Sequence, residues 1–286
     1  MKLTKTLFAT LILPLAFLGQ SSAQESLLEE LDEDPIEKEF VPAFKAMKIG
    51  NLQSTKVASA GDWYMYVSHR FGNFSDGLST FFGLDAANTK IQLVYGVLDG
   101  LQVGISRESL RKTYAGSVKF RLMKQEGQKP VNLTAYSTFN WNSQLSADRY
   151  PNLWWPDRLS YATQLLISRS FGEKFSLELA PTYVRQNLVW QKTQSHDQLA
   201  IGLGSRLKLT KRLSLNADYV WNLSRVDYTQ FRDPLTIGLD LETGGHVFQL
   251  LFSNAQSTNE PGFISNAEGQ WLTGDVFFGF NIVRVF

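Results

Sequence analysis

The chain has 286 residues, 28 basic against 27 acidic side chains, no cysteine, 13% aromatic and 19% charged residues. Charge this sparse, against about 25% in a typical soluble domain, argues against a densely charged surface. A mean hydropathy of −0.17 argues against a bundle of membrane helices, and the lack of cysteine rules out disulfide staples.

The first element is a secretory signal peptide over residues 1–23. Lys2 and Lys5 precede an apolar run from Leu7 to Leu18, and Ser21-Ser22-Ala23 supplies the small residues of a cleavage site. The run is short of the roughly 20 residues a spanning helix needs. Residues 24–44 follow as an acidic, weakly ordered periplasmic segment, with eight acidic residues and one Lys between Glu25 and Phe40. From residue 41 onward the balance turns mildly basic, 25 against 19.

Residues 45–286 read as a transmembrane antiparallel up-and-down β-barrel of about 12 strands. KTYAGSVKFRL sets Tyr114, Gly116, Val118, Phe120 and Leu122 on one face and Ala115, Ser117, Lys119 and Arg121 on the other. RLSLNADYVWNL repeats the pattern, Leu215, Ala217, Tyr219 and Trp221 opposing Ser214, Asn216 and Asp218. Such segments start near residues 62, 89, 100, 112, 130, 160, 174, 198, 212, 234, 245 and 272. Most are as long as the roughly 9 to 11 residues that cross a bilayer at a tilt.

Long connections at Gly72–Asn88, Asn142–Leu159 and Asn254–Trp271 alternate with short ones at Asp99-Gly100, Gly172-Glu173, Thr210-Lys211 and Thr243-Gly244. That alternation, broken only where Lys124–Lys129 is comparable to Arg107–Arg111 before it, matches barrels with short periplasmic turns and longer outer loops, and it puts both ends of the barrel on the short-turn side. Asp99-Gly100 suits a type I′ turn. Trp141, Trp190 and Trp221 are expected to end upward strands, Trp271 to begin a downward one, and Trp154 and Trp155 to sit in a loop, which makes an outer aromatic girdle. Trp63 falls on the opposite rim.

The last strand, FFGFNIVRVF, alternates Phe278, Phe280 and Ile282 with Gly279 and Asn281. Pairing it with the first strand satisfies every backbone group in hydrocarbon, and its terminal Phe286 resembles the signal read by the barrel-insertion machinery. SHRFG at residues 68–72, together with FGFNIVRVF, resembles an uncharacterised, domain-of-unknown-function family of outer-membrane β-barrel proteins of Bacteroidetes. The resemblance implies the fold and brings no activity, cofactor or catalytic residue.

The chemistry-bearing motifs are few. His69, His196 and His246 lie far apart without metal-ligand spacing, and no nucleotide-binding fingerprint is present. Ser195-His196-Asp197 are consecutive, whereas a catalytic triad is assembled by the fold. No catalytic, cofactor-binding or metal-binding residue is expected, and a lipase or protease is the least favoured reading. Arg70 of SHRFG is expected to face the lumen, pairing there with a carboxylate or binding an anion.

With apolar faces outward, the candidate lumen-lining residues are Arg70, Lys90, Lys119, Arg121, Arg206 and Lys208, against Glu178, Asp218, Asp240 and Glu242. Inward Gly96, Gly104, Gly202, Gly204, Gly238 and Gly279 would widen the bore. These features point to a narrow channel or solute-binding barrel for small polar or anionic solutes. The alternative is a structural or interaction barrel with a closed lumen. Expected partners are outer-membrane lipid, the insertion machinery and a small polar solute, not nucleic acid.

Overall fold

A computed structural model describes residues 42–226 and 229–286. The signal peptide and most of the acidic segment expected above lie outside the described residues.

The strands are β1 (Trp63–Asn73), β2 (Ala87–Leu98), β3 (Leu101–Glu108), β4 (Thr113–Met123), β5 (Asn132–Asn142) and β6 (Leu159–Phe171). They continue with β7 (Phe175–Gln186), β8 (Asp197–Lys208), β9 (Leu213–Asn222), β10 (Leu235–Thr243), β11 (His246–Ser253) and β12 (Phe277–Val285). Each pairs antiparallel with its sequence neighbours, and β12 returns to β1, so the sheet is a closed twelve-stranded barrel. The closing seam runs from Tyr64 opposite Val285 to Asn73 opposite Phe277, with a shift in register after Arg70.

Alternation in the sequence becomes alternation of environment. On β9, Ser214, Asn216, Asp218 and Asn222 are buried while Leu215, Tyr219 and Trp221 are exposed. The outer face is apolar along its length, with Ile105, Phe139, Leu199, Leu203 and Leu250 among its most exposed side chains. Near the seam it carries a ring cluster: His69 stacks on Phe280 at 5.1 Å, and Phe71 on Phe278 at 5.6 Å. Reversing the facing of one strand would turn an Arg or Lys toward lipid, at about 2–4 kcal/mol each near mid-depth.

Three local expectations need correction. β12 begins at Phe277 rather than near residue 272, because Trp271–Thr273 forms a 3-10 turn ended by left-handed Gly274 at φ 79°. Trp271 therefore sits in a connection, where its indole N–H donates to the Leu235 carbonyl at 3.1 Å. Trp190 likewise lies beyond β7, which ends at Gln186. The Asp99-Gly100 turn is left-handed at Gly100 alone (φ 91°), so it is not of type I′. An irregularity between Gly96 and Leu98 adjusts the register instead.

The interior is not an open bore. Two segments fill it, one from each end. Residues 42–60 enter from the short-turn side, where Lys45 meets Glu242 at 3.4 Å. They fold back on themselves through the Lys48–Gln53 bridge and the Ile49-to-Leu52 and Ser54-to-Met47 backbone bonds, then return to β1. From Ala43 to Ala58 only Lys45 and Lys56 are even half-exposed. From the other side the β11–β12 connection turns inward, and its short helix α1 (Glu260–Ser265) is buried at every residue. This connection was expected to stand outside the barrel with the other long loops. About eight strands can close on their own side chains, whereas a wider barrel needs added material.

Candidate functional site

The candidate site is the lumen and the segment that occupies it. Strand parity sends every second side chain inward, and most of these are polar: Thr134, Gln164, Glu178, Asn216, Asp218 and Gln249 are all buried. A polar group removed from water must find a hydrogen bond, or it costs a few kcal/mol. Here the partner is largely the main chain of residues 47–58.

Lys119 shows this best. Its ammonium has three N–H donors and no acceptor, and they meet the carbonyls of Met47 at 3.2 Å, Ser54 at 3.0 Å and Lys56 at 3.3 Å. Gln249 Nε2 donates to the Lys48 and Ile49 carbonyls at 3.2 and 3.0 Å. Carboxylates take the opposite role, Glu178 accepting from Thr55 N at 2.9 Å and Asp218 from Asn51 N at 3.0 Å. Tyr66 Oη and Gln102 Oε1 accept the main-chain N–H groups of Met47 and Ala58 at 2.8 and 2.7 Å. The wall thus reads the segment mostly through its backbone.

Side chains add a second set of contacts at the tip. Arg70 is fully buried, and its Nη2 donates to Asn51 Oδ1 at 2.8 Å while Nη1 reaches Asn281 Oδ1 at 3.1 Å. Among the described residues Arg70 forms no ion pair. The carboxylate partner expected for it is replaced by amides, because the plug tip comes between Arg70 and Asp218. His69 faces outward beside it, with its ring Nδ1 2.8 Å from Thr89 Oγ1.

The glycines have a different use from the one read in sequence. A Cβ on Gly204 would lie 2.1 Å from Ile49 Cδ1, one on Gly202 would lie 3.0 Å from Leu52, and one on Gly96 would lie 1.8 Å from the Ser59 carbonyl oxygen. These three are seats for residues 49–59 rather than width for a free pore, whereas Gly104, Gly238 and Gly279 lie against neighbouring strands of the wall.

Of the ten lumen candidates, Arg70, Lys90, Lys119, Arg206, Glu178, Asp218 and Asp240 are buried in the interior. Arg206 bonds Ser214 and Glu242, each at 3.2 Å, and Asp240 accepts from Gln249 at 2.9 Å. Glu242 joins this group near the short-turn rim, together with Lys45. Arg121 and Lys208 are only half-buried and turn to rim acids, Asp99 at 3.5 Å and Glu173 at 3.9 Å. Lys90 lies opposite Glu108 on the adjoining strand.

Sequence reading missed Glu108, Lys48 and Glu260. Glu108 anchors the inward loop by accepting from Thr258 N at 2.8 Å and from the Asn88 amide at 2.6 Å. Its signal was parity, since Gln102, Gly104 and Ser106 already point inward and Glu108 extends that row. Glu260 gave no such signal because it lies on a helix inside the bore. The two fillings join there: Lys48 Nζ donates to the Thr258 carbonyl at 3.0 Å, and Gln53 Nε2 to Glu260 at 2.7 Å. Burial pushes the Lys48 ammonium down to about 7, with Lys90 adding to the effect. Burial alone would push the Glu260 carboxyl up, but Lys48, Lys90 and Gln53 outweigh it and hold the carboxyl below its usual range.

The Ser195-His196-Asp197 run does not assemble. Ser195 Oγ donates to the Asp197 carbonyl at 2.6 Å, His196 Nδ1 lies 2.7 Å from the Gln186 carbonyl, and the Asp197 carboxylate binds Tyr183 and Arg185.

A closed barrel with an apolar outside and a hydrogen-bonded polar inside is the form a polypeptide takes when it crosses a bilayer in strands. Residues 44–286 match the family described as membrane bound beta barrel domain, DUF5777, and the chain belongs to that family. No curated protein matches the sequence. Among solved structures the chain is similar to the NanC porin, at 8% identity over 78% of this chain and 98% of that one with a TM-score of 0.48. It is similar to the KdgM porin at 7% identity over 78% and 99%, also with a TM-score of 0.48. An outer membrane channel from Pseudomonas putida F1 follows at 14% identity, 81% and 97% coverage and a TM-score of 0.44.

Proposed function

We propose that the protein is a gated channel of a bacterial outer membrane, reached through its signal peptide, that passes small polar or anionic solutes and is held shut by residues 42–60 together with the inward β11–β12 connection they bind through Lys48 and Gln53. The supporting observation is the nature of the closure. A permanently solid barrel needs only apolar filling, whereas this wall is lined with amides, hydroxyls and charges that water can take over when the segment leaves. Each hydrogen bond to the segment has a water-bonded counterpart in the released state, so its net worth is only about 0.5–1.5 kcal/mol. Phe44, Ile49 and Leu52 also belong to an apolar cluster with Leu166, Val184 and Val220, which opposes release and keeps openings rare.

Once it is displaced, Arg70, Lys119 and Arg206 face the bore against Glu178, Asp218 and Asp240, and Lys90 stands opposite Glu108. Reconstitution of the purified chain in planar bilayers tests this reading. The expected result is a mostly silent wild type with rare discrete openings, and frequent openings for Lys119→Met. Verified insertion with silence in both would reject it. That outcome would support the alternative, a structural or interaction barrel, which the doubly filled lumen favours.

A further inference from the structure

At the outer mouth, between α1 and the loops after β3, β5 and β7, lies a partly open cavity of about 50 Å³ lined by Arg111, Arg158, Asn142, Gln186, Asn259 and Gly262. A space of that size holds a few water molecules or one carboxylate group. A wider chamber of about 440 Å³ adjoins it and shares Leu145, Asp157, Leu188 and Trp190 as a common wall. Tyr150, Pro151 and Leu153, with Arg149 and Asn152 among them, make its remaining surface largely apolar.

Arg111 stands on unusual backbone, and both guanidiniums have few partners. Arg111 and Lys112 are consecutive left-handed residues, at φ 57° and 47°, neither of them glycine; such outliers gather at ligand sites. Arg111 lies over the Trp190 ring at 4.1 Å. Arg158 Nε is buried without a hydrogen-bond partner. Neither arginine forms an ion pair among the described residues. The acid in the shared wall, Asp157, is already engaged by Trp154 N at 2.8 Å. Glu108 and Glu268 also act on Arg111, but burial outweighs them and holds its guanidinium below its usual value.

We propose that this pair of cavities is a binding site for a small ring-bearing carboxylate. The carboxylate sits between Arg111 and Arg158, where planar guanidiniums match its two oxygens, and the ring occupies the apolar chamber beside Trp190. The site rests on the channel reading only in that it would make such anions the preferred solute at the outer entrance. Because α1 forms one of its walls, an occupant touches the inward-turned loop directly.

Isothermal titration calorimetry of the detergent-solubilised full chain tests the site with benzoate, its neutral isostere benzamide, and acetate. Benzoate should bind, benzamide and acetate at least tenfold more weakly, and R111Q or R158Q should weaken benzoate at least tenfold while the heat-dependent gel mobility of the folded barrel stays unchanged. Equal binding of benzoate and benzamide by wild type, or no detectable benzoate binding, overturns the proposal without recourse to any variant. Charge-dependent benzoate binding by a barrel that never conducts would leave the site standing and remove the channel. Conduction without such binding would do the reverse.

Discussion

The wall of the barrel and the material inside it are built on different rules. Each strand of the wall faces hydrocarbon on one side, so a single misplaced charge is penalised and the sequence must alternate. Residues 42–60 and 254–270 touch lipid nowhere along their buried lengths. They meet a mostly polar wall, broken by an apolar cluster that joins Phe44, Ile49, Leu52, Phe263 and Ile264 to inward Leu166, Val184 and Val220, and no period is imposed on them. The wall holds itself by strand ladders, whereas the filling is held by donors and acceptors reaching from the wall.

That contrast can be broken at its strongest point by Lys119→Met. Three carbonyls of the plug lose a charged donor and Glu178 loses a nearby cation, so docking should weaken by about 4 kcal/mol. Hydrogen exchange at residues 47–56 should accelerate accordingly, while amides of the wall stay protected. Equal acceleration in both would mean that plug and wall are one cooperative unit.

On the wall, Leu203→Arg on the outward face of β8 should cost about 2–4 kcal/mol of barrel stability in lipid vesicles. Denaturant titration reads this directly, and plug exchange should change little below the unfolding transition.

A smaller effect comes from the seats. Gly204→Val places atoms where Ile49 now lies, and overpacking of this kind costs about 1–3 kcal/mol. Limited proteolysis within residues 44–58 should speed up with the barrel intact. No change would mean that Ile49 simply swings aside.

The pH dependence sharpens the same comparison. Lys48 is about 7 when docked and ordinary when released, so the released segment binds more protons between those values, and docking strengthens as pH rises through that window, by up to tenfold per unit. The groups around it are Lys90, Arg70, Glu260 and Glu108. Glu260 is held below its usual range when docked, so its contribution is lost only in acid, whereas Lys56, whose ammonium burial also lowers, shares the alkaline window with Lys48. Plug exchange measured from pH 7 to 9 should slow, and Lys48→Met should reduce the slope.

The wall was legible because hydrocarbon writes its constraint into every second residue. Eleven of the twelve strand starts fall within three residues of their expected positions, and the inward set from Arg70 to Asp240 follows from parity alone. The exception, β12, comes after the folded-in connection, where Trp271 looked like a strand residue on aromatic character. The filling was not legible for the complementary reason. In AFKAMKIGNLQSTKVASAG nothing marks a segment destined for a lumen. The inward glycines were visible, but a glycine records only that something comes close, not whether it is water, solute or Ile49.

The central claim is that residues 42–60 close the bore. The chain has no cysteine, so Ile49→Cys with Gly204→Cys provides a unique lock across a contact where the plug already touches the wall. Single-channel recording of this variant, with disulfide formation verified by mass, should show silence when oxidised and discrete openings after reduction. Openings that persist with the bond intact, or silence that survives its reduction, would contradict the account.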